Sequence, residues 1–272
     1  MTMDRLARTV REQVALGRLL PLGEAGDAAW ITESAAVAAL RRVADALPGV
    51  RLGAVGVRLD DAGEDPGPGG GAGEVAALGR EDDAGGGPHG AAPTGALPYG
   101  PLRITADFGA GLDEPLPRSA ERLRAVLWAT ARDGLGVPVR AVDLEVSGLL
   151  EGGPELAQVR EGVVVEEGAQ GEGARELPGA GEGAPGAAER VAAAALAVPG
   201  VLRLTRRLAG LGSGVRVRDT QDAPGRRVQV QFAVAAGHRP YEVARAVTAA
   251  ITAAAALDAP GPVATAVVVT DA

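Results

Sequence analysis

The chain contains no cysteine, so imidazole and hydroxyl groups are the first side chains to search for chemistry. His89 stands in "GGGPHGAAP". A catalytic group must be held in place by packed neighbours, and glycines and prolines supply none. His238 lies at a strand-to-helix turn beside Arg239, with no second histidine or cysteine near it to complete a metal-ligand set. A surface or turn role is expected for it. Ser34 and Ser119 lie near helix starts, where capping is the ordinary use of a hydroxyl. Ser147 and Ser213 complete the serines, and no G-x-S-x-G turn surrounds any of the four. The run "GLGSG" (210–214) precedes a strand. Phosphate-binding glycines follow a strand and open a helix, whose N-terminus faces the anion, so a turn is expected here instead. The chain therefore reads as a non-enzyme, with no catalytic, cofactor-binding or metal residue assigned and no cofactor implied.

Arginine offers the other chemistry. Seven arginines fall within 203–227, namely Arg203, Arg206, Arg207, Arg216, Arg218, Arg226 and Arg227, opposed by Asp219 and Asp222. Alternation in "GVRVRD" places Arg216 and Arg218 on the exposed face of a strand, near a turn carrying Arg226 and Arg227. A small sheet with a basic face could bind RNA or an anionic membrane surface. Sheets that bind nucleic acid generally add exposed aromatics for stacking, and the nearby aromatic, Phe232, aligns with the buried valines. The seven arginines are the candidate interaction surface. A partner-facing patch is the first reading, and a nucleic-acid-binding module is the alternative.

The elements that must position these residues repeat. "LPGVRL" ends at Leu52 and "VPGVLRL" at Leu204. An Ala-rich amphipathic segment precedes each, "ESAAVAALRRVADA" (33–46) and "AAERVAAAALA" (187–197), and both predict helices. Each helix must stop before its proline, which pushes the preceding residue out of helical geometry, and Pro-Gly then suits a turn. Strands follow: "GVRLD" (56–60) answers "GVRVRD" (214–219), and "LRITADF" (102–108) answers "VQVQFAV" (228–234). A second helix comes next in each copy, "PRSAERLRAVLWATARDGLG" (117–136) and "PYEVARAVTAAITAAAAL" (240–257). Leu123, Leu127 and Ala131, or Val243, Val247 and Ile251, form the apolar stripe behind a first-turn proline. "RAVDLEV" (140–146) and "VATAVVV" (263–269) close the units, and "AAWIT" is a candidate opening strand of the first. The expected class is α+β, two related small units, each with helices on one face of a three- or four-stranded sheet.

Composition sets the joints between them. In 272 residues there are 41 Gly and 19 Pro, while aromatics make up 2%, so any core is built of Val, Leu and Ala. Every one of the 27 basic residues is arginine, and the net charge is −8. The acidity concentrates in two Gly/Pro-rich stretches, 61–100 and 151–186, which bury too little apolar surface to offset the entropy of ordering. The expected plan is an N-terminal amphipathic helix over 1–26, with Leu6, Val10 and Val14 on one stripe. A first unit follows over 27–150 with a disordered acidic insertion at 61–100, then an acidic linker over 151–186 and a second unit over 187–272. Packing of the N-terminal helix on its own domain stands beside a partner-binding or membrane-surface role. The start "MTMDRLARTVREQ" is charged where a signal peptide needs an apolar run, and the charge-free apolar stretches are about a dozen residues long, too short to span a bilayer.

The second unit resembles the alkaline shock protein family of bacterial envelope stress response proteins. The resemblance rests on "AAAALAVPGV" (192–201), with Pro199, Gly200 and Val201, on the paired strands, and on "GHRPYEVARAVTAAI" (237–251). The last of these supplies Gly237, Pro240, Glu242, Val243, Ala244 and Val247. Ala236 and Tyr241 stand where the family has an aromatic and its proline. The resemblance covers about 187–272, and the first unit resembles a diverged second copy. It implies a non-catalytic, cytoplasmic protein that works through protein interaction or scaffolding. Some family members are held at the inner face of the membrane by a separate anchor protein, and some self-associate. A protein partner, a membrane-anchored one among the options, and self-association are therefore the expected partners.

Overall fold

A computed structural model describes residues 16–60, 92–150, 186–208, 214–220 and 223–272. Expectations for Leu6, Val10, Val14, His89, Ser213, Asp222 and most of the two acidic stretches fall outside those residues. The described chain runs β1 (Leu19–Leu22), a single 3-10 turn (Ala25–Asp27), β2 (Ala29–Thr32), α1 (Glu33–Ala44), β3 (Val50–Leu59), β4 (Leu102–Gly111), α2 (Leu116–Ala129) and β5 (Val139–Leu150). It continues with α3 (Ala187–Leu196), β6 (Val201–Leu204), β7 (Val215–Thr220), β8 (Gly225–Val234), α4 (Pro240–Ala256) and β9 (Val263–Asp271). The fold is α+β, built on two mixed sheets.

Local chemistry sets the helix ends. Thr32 caps α1, its Oγ1 accepting from the Ala35 backbone N–H at 3.3 Å; Ser34 instead donates to Thr32 Oγ1. Ser119 does not cap α2 either: it is buried and its hydroxyl donates to Glu114 Oε2 at 2.9 Å. Pro117 and Pro240 occupy first-turn positions, where no intrahelical N–H is lost. The two echoed Pro-Gly pairs do the same work after α1 and α3. Gly49 (φ +69°) and Gly200 (φ +91°) take the left-handed conformation that sends the chain into β3 and β6.

The three-stranded sheet has the order β3-β4-β5, antiparallel then parallel. In the larger sheet β7 is antiparallel to β8 and β8 parallel to β9, so helix, strand, strand, helix, strand recurs with the same orientations. β6 pairs with the far end of β8, as the start of β3 does with β4. Phe108 on β4 and Phe232 on β8 are both fully buried, and in both sheets the parallel register slips immediately after the phenylalanine.

Several boundaries differ from the sequence-based plan. Leu19–Leu22 is a strand rather than part of an N-terminal helix: it pairs antiparallel with β2, and Pro21 is tolerated because β1 lies at the sheet edge. β2 does not join the first unit's sheet. It lies parallel against β9, pairing Ala29, Trp30 and Ile31 with Val267, Val268 and Val269. The end of the acidic insertion is ordered, because Tyr99 packs tilted against Trp30 (centroids 5.4 Å apart) and bonds both backbone groups of Ala29. Burial pushes the Tyr99 hydroxyl up to about 12. At the end of the second stretch, Gly186 caps α3.

Buried side chains from both segments form one continuous hydrophobic cluster, with Leu40, Phe108 and Leu127 in the same interior as Val230, Val247 and Ile251. Tyr241 on α4 crosses the seam: it packs on the backbone of Gly23 and Gly136 and donates to Asp27 Oδ2 at 3.0 Å. A smaller cluster of Leu19, Ala28, Trp30, Ala266 and Val268 covers the other face of the large sheet, with Tyr99 and Leu208 packed on it.

Candidate functional site

The arginine-rich region is carried by β6, β7 and β8. On β7, Val215 and Val217 face the core, so Arg216 and Arg218 project from the opposite face. Cross-strand pairing sets Arg216 against Gln229 and Arg218 against Arg227. Arg203 lies opposite Ala233 on the neighbouring stretch of β8 and approaches Asp271 at 3.8 Å. Arg206 and Arg207 follow β6 and are exposed. Arg203, Arg216, Arg218 and Arg227 thus share one outer face.

Arg226 is a correction. It sits two residues before Val228, on the core side of β8, and its side chain is only 5% exposed. Nε and Nη2 donate to the two carboxylate oxygens of Asp219 on β7, at 2.7 and 2.9 Å. Nη1 donates to the Ala255 carbonyl at 2.9 Å and to Asp258 Oδ1, and Nη2 reaches the Asp258 carbonyl at 3.3 Å. The second oxygen of Asp258 pairs with Arg190 of α3 at 2.7 Å. One guanidinium therefore joins β7, β8 and the end of α4, with α3 attached through Asp258. Bonds to Asp219 and Asp258 hold Arg226 charged, well above the usual arginine range. The bond from Arg226 lowers Asp219, and Arg190, then Arg226, lower Asp258. The parity of Arg226 with Val228 and Val230 was the available signal; Asp258, which lies 32 residues away in sequence, had none.

The motif residues behind the family resemblance take turn and core positions. Gly237 has φ +83° in the turn before α4, and Pro240 starts that helix and is buried. Val243, Ala244 and Val247 line its buried stripe, while Glu242 is exposed and accepts from Arg239 at 2.7 Å. Pro199 is exposed, and Gly200 and Val201 are half-buried. A side chain at Gly200 would run into Val243 at 2.7 Å and the His238 ring at 2.8 Å, which accounts for that glycine. His238 itself is exposed in the turn.

The three-stranded sheet offers a surface of the opposite character. Its outer face holds an open depression of about 400 Å³ lined by Arg58, Thr105, Asp107, Asp143 and Glu145, among others. Arg103 crosses this face, bonding Asp143 at 2.6 Å and the buried Asp60 at 2.7 and 2.9 Å. These bonds, Asp143 first, raise the Arg103 pKa. Sequence reading singled out none of these residues, because an arginine and acids on alternate strand positions look like any solvated face. Among the described residues no cluster of histidine, aspartate and glutamate is grouped to hold a metal ion.

No family model, no curated protein and no solved structure matches this chain.

Proposed function

We propose that this chain is a non-catalytic interaction or scaffolding protein, of the kind its resemblance to the alkaline shock proteins implies, working in the cytoplasm at the inner face of the envelope. The observation that supports this most is the fate of the aromatics. The chain has two Trp, two Tyr and two Phe. Trp30, Phe108 and Phe232 are buried, and Tyr99, Trp128 and Tyr241 are half-buried against the same interior or its second cluster. On the sheet face shared by Arg203, Arg216, Arg218 and Arg227 the aromatics are Trp30, which is buried, and Tyr99, whose ring packs against it, so both are engaged within the fold. A rigid basic ribbon without stacking groups suits an acidic protein surface better than single-stranded nucleic acid. The withdrawal of Arg226 into the core also shrinks the phosphate-binding surface that the alternative reading requires.

The test pairs two measurements on the full chain. Tagged protein recovered from envelope-stressed cells is expected to carry a defined protein partner at physiological salt and to enter the membrane fraction with it. Mobility-shift titrations with RNA and DNA at graded salt are expected to show only weak binding of no sequence preference. Strong, salt-dependent binding abolished by R216Q, R218Q and R227Q together would replace this reading with the nucleic-acid one.

A further inference from the structure

The matching registers of the two sheets identify an edge that is filled in one and open in the other. With Phe108 aligned to Phe232, Leu144, Glu145 and Val146 of β5 answer Val267, Val268 and Val269 of β9. Those three β9 residues are the ones on which β2 lies, parallel, with Ala29 and Ile31 on the core face and Trp30 on the other. β5 ends its sheet, and among the described residues no strand pairs with its outer edge.

Side chains blunt the other edge of the same sheet. Arg18 donates to the Val57 carbonyl and Glu33 accepts from the Val57 N–H. On β5, Arg124 does this once, at the Val142 carbonyl (3.2 Å), and no described side chain bonds the backbone from 143 to 150. The surroundings match an unfilled place. Val146 is 44% and Leu149 54% exposed, whereas Val269 is fully buried, and a Cβ placed on Gly148 would meet nothing.

We infer that the outer edge of β5, over residues 143–150, is a strand-docking site for an extended segment of a partner protein in which apolar residues alternate with basic ones. This rests on the interaction reading above and names the partner's chemistry. Strand addition of this kind takes its affinity from main-chain hydrogen bonds and its selectivity from alternate side chains. The β2 precedent fixes the orientation as parallel to β5. It also fixes the pattern: apolar residues where Ala29 and Ile31 would lie, facing Leu144 and Val146, and a basic residue in the place of Trp30. At that place the described surface carries Glu145, without an ion pair, beside Asp107 and Asp143. Where β9 presents Val268 to an indole, β5 presents the carboxylate of Glu145, since Asp143 is paired with Arg103, and a cationic side chain complements it.

The probe is a fluorescein-labelled, amide-capped peptide Thr-Val-Arg-Ile-Arg-Val-Thr, titrated against the full chain by anisotropy, with hydrogen exchange followed at the amides of 143–150 that point away from β4. The expected result is saturable binding and new protection of those amides. E145R and V146D are each expected to weaken binding about tenfold or more while leaving the thermal unfolding midpoint unchanged, since both positions are exposed. Alternate N-methylation of the peptide, or glutamate for its arginines, should abolish binding. No binding, or binding indifferent to E145R and V146D, overturns the inference. So does protection, in the free chain, of the 143–150 amides that point away from β4: if independent of concentration the chain's own residues fill the edge, and if concentration-dependent a second copy does. Should the peptide fail while the protein still recovers a partner from cells, this inference falls and the interaction reading stands.

Discussion

Replacing Arg226 with methionine keeps an unbranched apolar stem while removing the guanidinium that joins β7, β8 and α4. Breaking a buried ion pair by deleting one member typically costs about 3–5 kcal/mol. Here the orphaned carboxylates of Asp219 and Asp258 are 48% and 51% exposed and regain water, which puts R226M at the lower end, about 3 kcal/mol. In a domain of this size that is a fall in Tm of roughly 6–12 °C. Urea titrations of wild type and R226M at pH 7 measure it, with R227M, one residue along and exposed, expected within about 0.5 kcal/mol of wild type. The pH dependence has a definite sign. Asp219 and Asp258 have folded pKa values below their unfolded ones, so their contribution is complete above the ordinary carboxylate range, near pH 4, and disappears as pH falls through the lower folded values. The gap between wild type and R226M should therefore narrow between about pH 4 and the acid limit of folding. At the bottom of that window the wild-type guanidinium is buried without ionised partners. A gap below about 1 kcal/mol at pH 7, or one of equal size at pH 3, would refute the assignment of Arg226 as a structural tie.

Two further comparisons probe the frame. G49A and G200A both force a side chain into the left-handed region, but a Cβ at Gly49 meets open space while one at Gly200 meets Val243 and His238. G49A should cost about 1 kcal/mol and G200A at least twice that in denaturant titrations, and equal losses would mean the α4 turn yields freely. V230D should destabilise by several kcal/mol, as an unpaired charge in the core, and Q229D by no more than about 0.5 kcal/mol. Q231D should fall with V230D: Gln231 is fully buried despite lying on the polar face, and its Oε1 accepts from the Leu208 N–H at 2.9 Å.

Gln231 marks where alternation stops being sufficient. The sequence pattern separates the two faces of β8 correctly at Val228, Val230 and Phe232 because each contacts helices encoded nearby. Whether the second face meets water depends on Leu208, Trp30 and the 92–100 segment, brought there by chain closure across the whole fold. Helices were legible for the same local reason, since α1 and α4 carry their apolar stripe and stop signals within their own residues. β1 was obscured because a four-residue strand has no period of its own, whereas "AAWIT" is legible as a strand but not in its place. The far partner of β2 is β9, more than 230 residues away, and β1, which pairs with β2, is masked by the arginine-flanked helical pattern that runs up to it. The candidate surface was legible in composition and, for Arg216 and Arg218, in direction; the direction of Arg226 was not. Arg216, Arg218 and Arg227 emerge outward, while Arg226 turns inward because an aspartate lies opposite it and another ends α4.

The two phenylalanines argue about history and independence together. A buried aromatic followed by the same register slip, on a strand with the same antiparallel and parallel neighbours, supports the proposal that one half arose as a copy of the other. On that proposal the shared interior accounts for how the two halves differ. An edge reading Val267, Val268 and Val269 would invite pairing with any passing chain, and β2 removes that hazard from within the same molecule. The corresponding edge of β5 carries Glu145, whose charge, unpaired among the described residues, suppresses indiscriminate pairing without closing the backbone to a complementary strand. On the same proposal, the difference at these few positions makes one edge an internal seam and leaves the other for the strand inferred above.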